Sequence, residues 1–162
     1  MNSKLQNKLV DKYPKIFLDD KRSKILCWGI ECPDSWYHIL EALCFRIQQA
    51  VDNPPTQIKK TIIGFLFGWI FKLLGIERKY FLVLNKIVQK KIPQIKAVQV
   101  KEKFGLLRFY TNYSNDEINN IIYFAELLTS KICYNCASFK NVKMVHGGWV
   151  IYLCQDCRKK KH

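Results

Sequence analysis

A chain of 162 residues, 49% apolar and 14% aromatic, carries enough nonpolar material for one packed domain with a small appended module, which excludes a disordered tail. Its 27 basic and 13 acidic residues leave a formal net charge of +14, so the expected partner is anionic: nucleic acid, a membrane surface or an acidic protein. The N-terminal stretch MNSKLQNKLVDKYPKIF has no apolar leader core and the seven cysteines are an odd number, so no secretory signal and a reducing, cytoplasmic setting are expected.

In chain order, SKLQNKLVDKY sets Leu5, Leu9 and Val10 at helical spacing and stops at Pro14, which predicts a short amphipathic helix. KILCWGIEC then reads as a strand-like apolar piece. Pro33 and Asp34 suit a helix start, and Trp36, Leu40, Leu43, Ile47 and Val51 recur every three or four residues, so one face of the next helix is core. Its other side carries Asp34, His38 and Glu41 in a row. Such a row can do acid and base chemistry, but no nucleophile accompanies it, and it reads as a hydrophilic face. Cys27, Cys32 and Cys44, with His38 near them, have irregular spacing for a second metal site and read as small buried hydrophobes.

Residues 54–91 are an apolar insertion expected to be helical. TIIGFLFGWIFKLLGI is apolar all round apart from Lys72, and YFLVLNKIVQKK continues it after the charged break ERK. As a helix the run of 16 residues spans about 24 Å, short of a hydrocarbon core of about 30 Å, so a membrane span is not expected. A buried helical hairpin is one reading. Another is peripheral membrane association, with Lys59, Lys60, Lys72, Arg78 and Lys79 at anionic headgroups while Phe65, Phe67, Trp69 and Phe71 insert. A third docks residues 61–88 on a host protein. Gly64 and Gly68 form a G-x-x-x-G that matters only in lipid.

Farther on, Val98 and Val100, then Leu107, Phe109 and Thr111, alternate with polar residues around KEKFG, a hairpin with Gly105 as the permissive turn residue. Ser114 and Glu117 have capping-box spacing, and Ile118, Ile121, Ile122, Ala125 and Leu128 form the inner stripe of the helix that follows. That helix runs into CYNCASFKNVKMVHGGWVIYLCQDC. Two Cys-x-x-Cys turns supply four thiolates at the tetrahedral geometry zinc prefers, so Cys133, Cys136, Cys154 and Cys157 are expected to hold one structural zinc ion. Val142, Val145, Trp149, Val150, Ile151 and Tyr152 flank Gly147-Gly148, which makes the intervening segment a hairpin. Pairing as disulfides or as redox thiols is the competing reading, and His146 or His162 could replace a ligand.

From Lys131 to His162, seven basic residues face Asp156 alone, a formal +6 that four thiolates around divalent zinc lower to +4. Candidate nucleic-acid contacts are Lys101, Lys103, Arg108, Lys131, Lys140, Lys143, Arg158 and Lys159, with Tyr110 and Tyr113 close by for stacking. The closing RKKK reads as a solvated, unstructured charge run. No phosphate-cradling glycine loop, nucleophile elbow or His-Glu-x-x-His appears, and no small-molecule substrate is evident, so the reading leans away from an enzyme.

KYPKIF near the start, CWG and the Cys-x-Asp-x-Trp-Tyr block, QVKEKFGLLRFYTN before a helix, and the terminal Cys-x-x-Cys pairs around GGW resemble a family of small, largely uncharacterised proteins of bacteriophage and prophage genomes. The resemblance covers roughly residues 10–50 and 95–157 and breaks at the insertion. Where the family has CGDGW and KFGGLRF, this chain has CPDSW and KFGLLRF. What the resemblance implies is a phage or prophage context in the bacterial cytoplasm and a core that includes the zinc knuckles.

The expected architecture is α+β: helices on a small antiparallel hairpin or sheet in a core domain of residues 1–130, including the insertion, followed by a zinc-ribbon-like module at 131–162. The expected role is non-enzymatic nucleic-acid binding, with a host-protein (anti-defence) or membrane-surface interaction through 61–88 as the alternative.

Overall fold

The computed structural model describes residues 1–18, 29–54, 56–59, 86–89 and 91–160. Two compact units contain them: Met1–Asp52 together with Pro93–His162, and Asn53–Ile92.

In the first unit, helix α1 (Ser3–Lys12) begins where the Asn2 side chain accepts a bond from Leu5 N at 2.9 Å, and it buries Leu9 and Val10. Pro14, whose fixed φ suits a first helical position, opens the single turn α2 (Pro14–Phe17), which buries Ile16 and Phe17. A short strand β1 (Ile30–Glu31) and a 3-10 turn (Asp34–Trp36) lead into α3 (Tyr37–Asp52). The expected inner face is observed over most of its length: Trp36, Leu40, Leu43 and Ile47 are buried, and Val51 in the last turn is half-buried.

The polar row on α3 is spent on docking α1. Asp34 accepts bonds from the Asn2 backbone N–H and side-chain amide, which hold its carboxyl below the usual range. Lys12 Nζ donates to Glu41 at 2.6 Å and lowers that carboxyl in the same way, while His38 Nδ1 lies 3.6 Å from its other oxygen.

The second unit shows strands β2 (Thr56–Lys59) and β3 (Lys86–Gln89) paired antiparallel, Thr56 opposite Gln89 and Lys59 opposite Lys86. This corrects the helical expectation at both ends of the insertion. Thr56, Ile58, Ile87 and Val88 are β-branched, and pairing two such stretches satisfies backbone groups that neither satisfies alone. Phe65, Phe67, Trp69 and Phe71, proposed as contact residues, lie outside the described residues. Among the described residues no helix is long and apolar enough to cross a membrane.

Returning to the first unit, β4 (Ala97–Lys103) and β5 (Leu106–Thr111) form the expected hairpin, and β1 adds to it in parallel, with Ile30 opposite Val100. The sheet order is β1-β4-β5, mixed rather than purely antiparallel. A bulge between Ala97 and Gln99 shifts the alternation. Ala97 and Val100 are buried, whereas Val98, which shares the alternation of Val100, is half-exposed. The turn is Phe104-Gly105 with φ of 53° and 75°, both positive as a two-residue type I′ connection requires.

Helix α4 (Asp116–Thr129) starts one residue later than its capping-box spacing suggests: Asn115, not Ser114, is the N-cap, its side chain accepting from Ile118 N. Ile118, Ile122 and Ala125 are buried, whereas Ile121 and Leu128 are only half-buried. Thr129 is buried without an orphaned hydroxyl, because its Oγ1 accepts from Leu107 N at 3.1 Å and donates to Glu126 O at 2.6 Å. Glu126 in turn accepts from Phe109 N and from Arg108 Nη1, which ties α4 to β5.

Beyond α4, strands β6 (Lys143–His146) and β7 (Val150–Leu153) pair antiparallel around Gly147-Gly148-Trp149 as expected, and α5 (Gln155–Lys159) follows. A Cβ on Gly105 would sit 2.8 Å from Val150 O and 3.1 Å from the Tyr152 ring, so the turn between β4 and β5 abuts the β7 backbone. Gly105→Ala is therefore expected to cost about 2 kcal/mol or more through left-handed strain and this clash, whereas Gly147→Ala, with open space around it, should be nearly neutral. Equal melting temperatures for the two variants would show that the turn does not bear on the ribbon.

Candidate metal centre

Each cysteine pair is built on a local backbone motif. In the first knuckle, Cys133 O accepts from Ala137 N at 2.9 Å and Cys133 N donates to Ser138 O at 2.8 Å, folding the chain back over the two sulfurs. Closing that turn puts Ala137 at φ 58°, a left-handed conformation that costs an L-residue about 1–2 kcal/mol. In the second, Cys154 N-caps α5, its sulfur accepting from Cys157 N at 3.4 Å. Asp156 in the first turn of α5 and Arg158 and Lys159 in the last complement the helix dipole. Part of the closing basic run is thus helical, not unstructured as expected.

The β6–β7 pair brings the knuckles together. Lys143 lies opposite Leu153 and Val145 opposite Ile151, so alternation sends Val145, Ile151 and Leu153 to the face that packs against the cysteines. Arg158 closes the back of the module by donating to Leu153 O at 2.6 Å and Asn141 O at 2.9 Å.

The result is four Sγ atoms all within 4.8 Å of one another, with Cys136 to Cys154 at 3.6 Å and Cys136 to Cys157 at 3.7 Å. A disulfide needs about 2.05 Å, so these are free thiols, whereas a thiolate tetrahedron with metal–sulfur bonds of about 2.3 Å has edges of about 3.8 Å. The four cysteines are positioned to coordinate one metal ion. Cys133 and Cys154 are buried, Cys136 is exposed and Cys157 is half-buried.

Their electrostatics favour a cation. Burial would raise the Cys133 thiol, but backbone N–H groups of Cys154, Cys136 and Asn135 overcome this and hold it down at about 6. Cys157 goes the opposite way, to about 12, chiefly because hydrogen bonds with the sulfurs of Cys154, Cys136 and Cys133 hold its proton, with charge repulsion from Cys133 adding to them. A divalent ion removes that mutual repulsion, which is why a thiolate set binds metal and releases protons together.

Long-range contacts hold this module on the helical layer. Trp36 meets Tyr134, the residue inside the first knuckle, edge to face with ring centroids 5.8 Å apart. Ser35 Oγ donates to Tyr134 O, and Tyr134 N donates to Tyr152 O at 2.7 Å. Sequence reasoning missed Tyr134 and Ser35. The only signal was a large aromatic inside a tight turn, where small polar residues are the usual choice.

The other sequence-predicted residues separate into two groups. Arg108 is held by Glu126 and Arg158 by backbone carbonyls, while Lys101 and Lys103 lie over the Tyr110 and Phe104 rings at 5.7 and 5.5 Å. Lys131, Lys140, Lys143 and Lys159 are exposed, and no ion pair to any of them is found among the described residues. His146 is exposed at the end of β6 and outside the sulfur cluster. Cys32 and Cys44 are buried, with burial pushing the Cys32 thiol up to about 12 and Cys44 upward as well, while Cys27 and His162 lie outside the described residues. Among the described residues, Cys133, Cys136, Cys154 and Cys157 are the one group of three or more metal-binding side chains brought together. No family model, curated protein or solved structure matches the chain, so its chemistry is read from its own geometry.

Elemental analysis of the purified protein is expected to find one metal ion per chain, and Cys133→Ser and Cys154→Ser are each expected to lose most of it; undiminished metal in both variants would overturn the assignment. Ala137→Gly, which relieves the left-handed strain in the first knuckle, should stabilise the metal-loaded protein by about 1 kcal/mol, read as a rise of about 3 °C in melting temperature.

Proposed function

We propose that the chain is a structural-zinc protein that binds nucleic acid through the basic surface of its C-terminal module. The four-cysteine donor set supports zinc. Thiolates favour zinc over the harder divalent ions, and four of them fill a tetrahedral sphere, leaving no position for a substrate. The same closure, and the engagement of Asp34 and Glu41 with Asn2 and Lys12, favours a binding protein over an enzyme.

One observation carries the nucleic-acid reading. Lys12, Lys15 and Arg108 are paired with carboxylates, whereas Lys131, Lys140, Lys143 and Lys159, all four within the ribbon module, are exposed and have no ion pair among the described residues. Asp156 is the sole acidic residue from Lys131 onward, so the field there stays positive after metallation. An unneutralised cluster of ammonium groups suits a polymer that presents phosphates at regular spacing and releases counterions when bound. A phage or prophage setting in the bacterial cytoplasm is the context we propose for it.

Titration of the zinc-loaded protein with labelled DNA and RNA, over a range of salt, tests the reading. Engagement of four or five phosphates should give a slope of log K against log salt of about −3 to −5, and Lys140→Glu with Lys143→Glu should flatten it by about 1 to 2. Absence of saturable binding at low salt would overturn the proposal.

A further inference from the structure

The β6–β7 pair has a second face that the metal centre does not use. Met144 lies opposite Tyr152, and alternation turns both away from the face of Val145, Ile151 and Leu153 that covers the cysteines. With the end of α4 and the loop before β6, they line a cavity of about 470 Å³ that includes Lys131, Phe139 and Asn141. Phe139 is 70% exposed and Met144 50%, an unusual outlay of apolar surface beside a pocket with polar walls. Phe139 is followed at once by Lys140, and Lys131 is itself part of the lining.

We infer that this pocket seats one unpaired nucleobase, stacked against Phe139 and flanked by Met144, with Lys131 and Lys140 taking the adjoining phosphates. The inference rests on the nucleic-acid reading above and narrows it to single-stranded polymer. Duplex phosphates satisfy the lysines equally well, but a paired base keeps its faces stacked on its neighbours and has none to offer Phe139. An unpaired base supplies a planar apolar face, a polar edge that can donate to the Asn141 side-chain oxygen while the Asn141 amide stays bonded to Gln155 Oε1, and a phosphate on each side, which matches the mixture of aromatic, amide and ammonium groups present. An acidic peptide would match the charge and leave the exposed aromatic unexplained.

The test compares the full, zinc-loaded chain with its Phe139→Ala, Met144→Glu and Lys131→Gln variants. The probes are a labelled single strand of mixed sequence and the duplex formed from it. Metal content and melting temperature are checked for each variant. Phe139→Ala should weaken single-strand binding about 5- to 100-fold, leave the salt slope unchanged and leave duplex binding within about twofold. Met144→Glu should likewise weaken single-strand binding more than duplex binding, by placing a carboxylate beside the stacked base, so the result does not hang on one variant. Lys131→Gln should instead weaken binding to both probes and flatten the slope by about 0.7 to 0.9. If both probes bind alike and neither pocket variant discriminates between them, the pocket inference falls while the phosphate reading stands. If neither probe binds at low salt, the nucleic-acid reading falls and takes the pocket with it.

Discussion

Four sulfurs gathered within 4.8 Å of one another are the constraint on which the C-terminal module depends. Thiolates at that distance repel, and protonated thiols there gain little, so the arrangement is worth holding only around a cation. The local structure yields to this requirement. Ala137 takes a left-handed conformation, Cys154 caps a five-residue helix too short to persist alone, and β6 and β7 make an isolated two-stranded sheet that would be marginal in water. Each of these weak elements is stable because the other two share its anchor.

The ribbon is nonetheless not a free appendage. Tyr134 lies between the ligands Cys133 and Cys136, and its ring packs on the wholly buried Trp36 while its carbonyl accepts from Ser35. On the other side, Gly105 lets the β4–β5 turn touch the β7 backbone, a contact that excludes any Cβ. The knuckle, the start of α3 and the sheet turn thus position one another. This explains why Lys131, at the end of α4, and Phe139, beyond the first knuckle, come to line a common cavity with Met144 and Tyr152.

Much of the candidate site was legible beforehand for a particular reason. The donor set is two short repeats, and the hairpin between them is marked by a glycine pair, so both features lie within a few residues of themselves. The helices α1, α3 and α4 were legible through their apolar spacing. Boundaries were less so: Ser114 and Asn115 are both good caps, and only the backbone decides between them. Val98 and Val100 share one alternation, yet a bulge that the alternation does not show turns Val98 outward. The parallel partnership of β1 with β4 joins Ile30 to Val100 across a long stretch of chain, and nothing near either residue announces it.

By itself, then, the sequence determined the four candidate metal donors, the overall positive charge and the main elements of the first unit, because each is set by residue type and short spacing. The tertiary structure alone decided which charges are available. Arg108 and Lys12 read in the sequence as basic residues like any other, yet Glu126 and Glu41 neutralise them, while Lys131 and Lys140 have no ion pair among the described residues. The pocket beside Phe139 was decided in the same way. A surface is the sum of side chains from distant segments, and its charge and shape depend on contacts that no local pattern records.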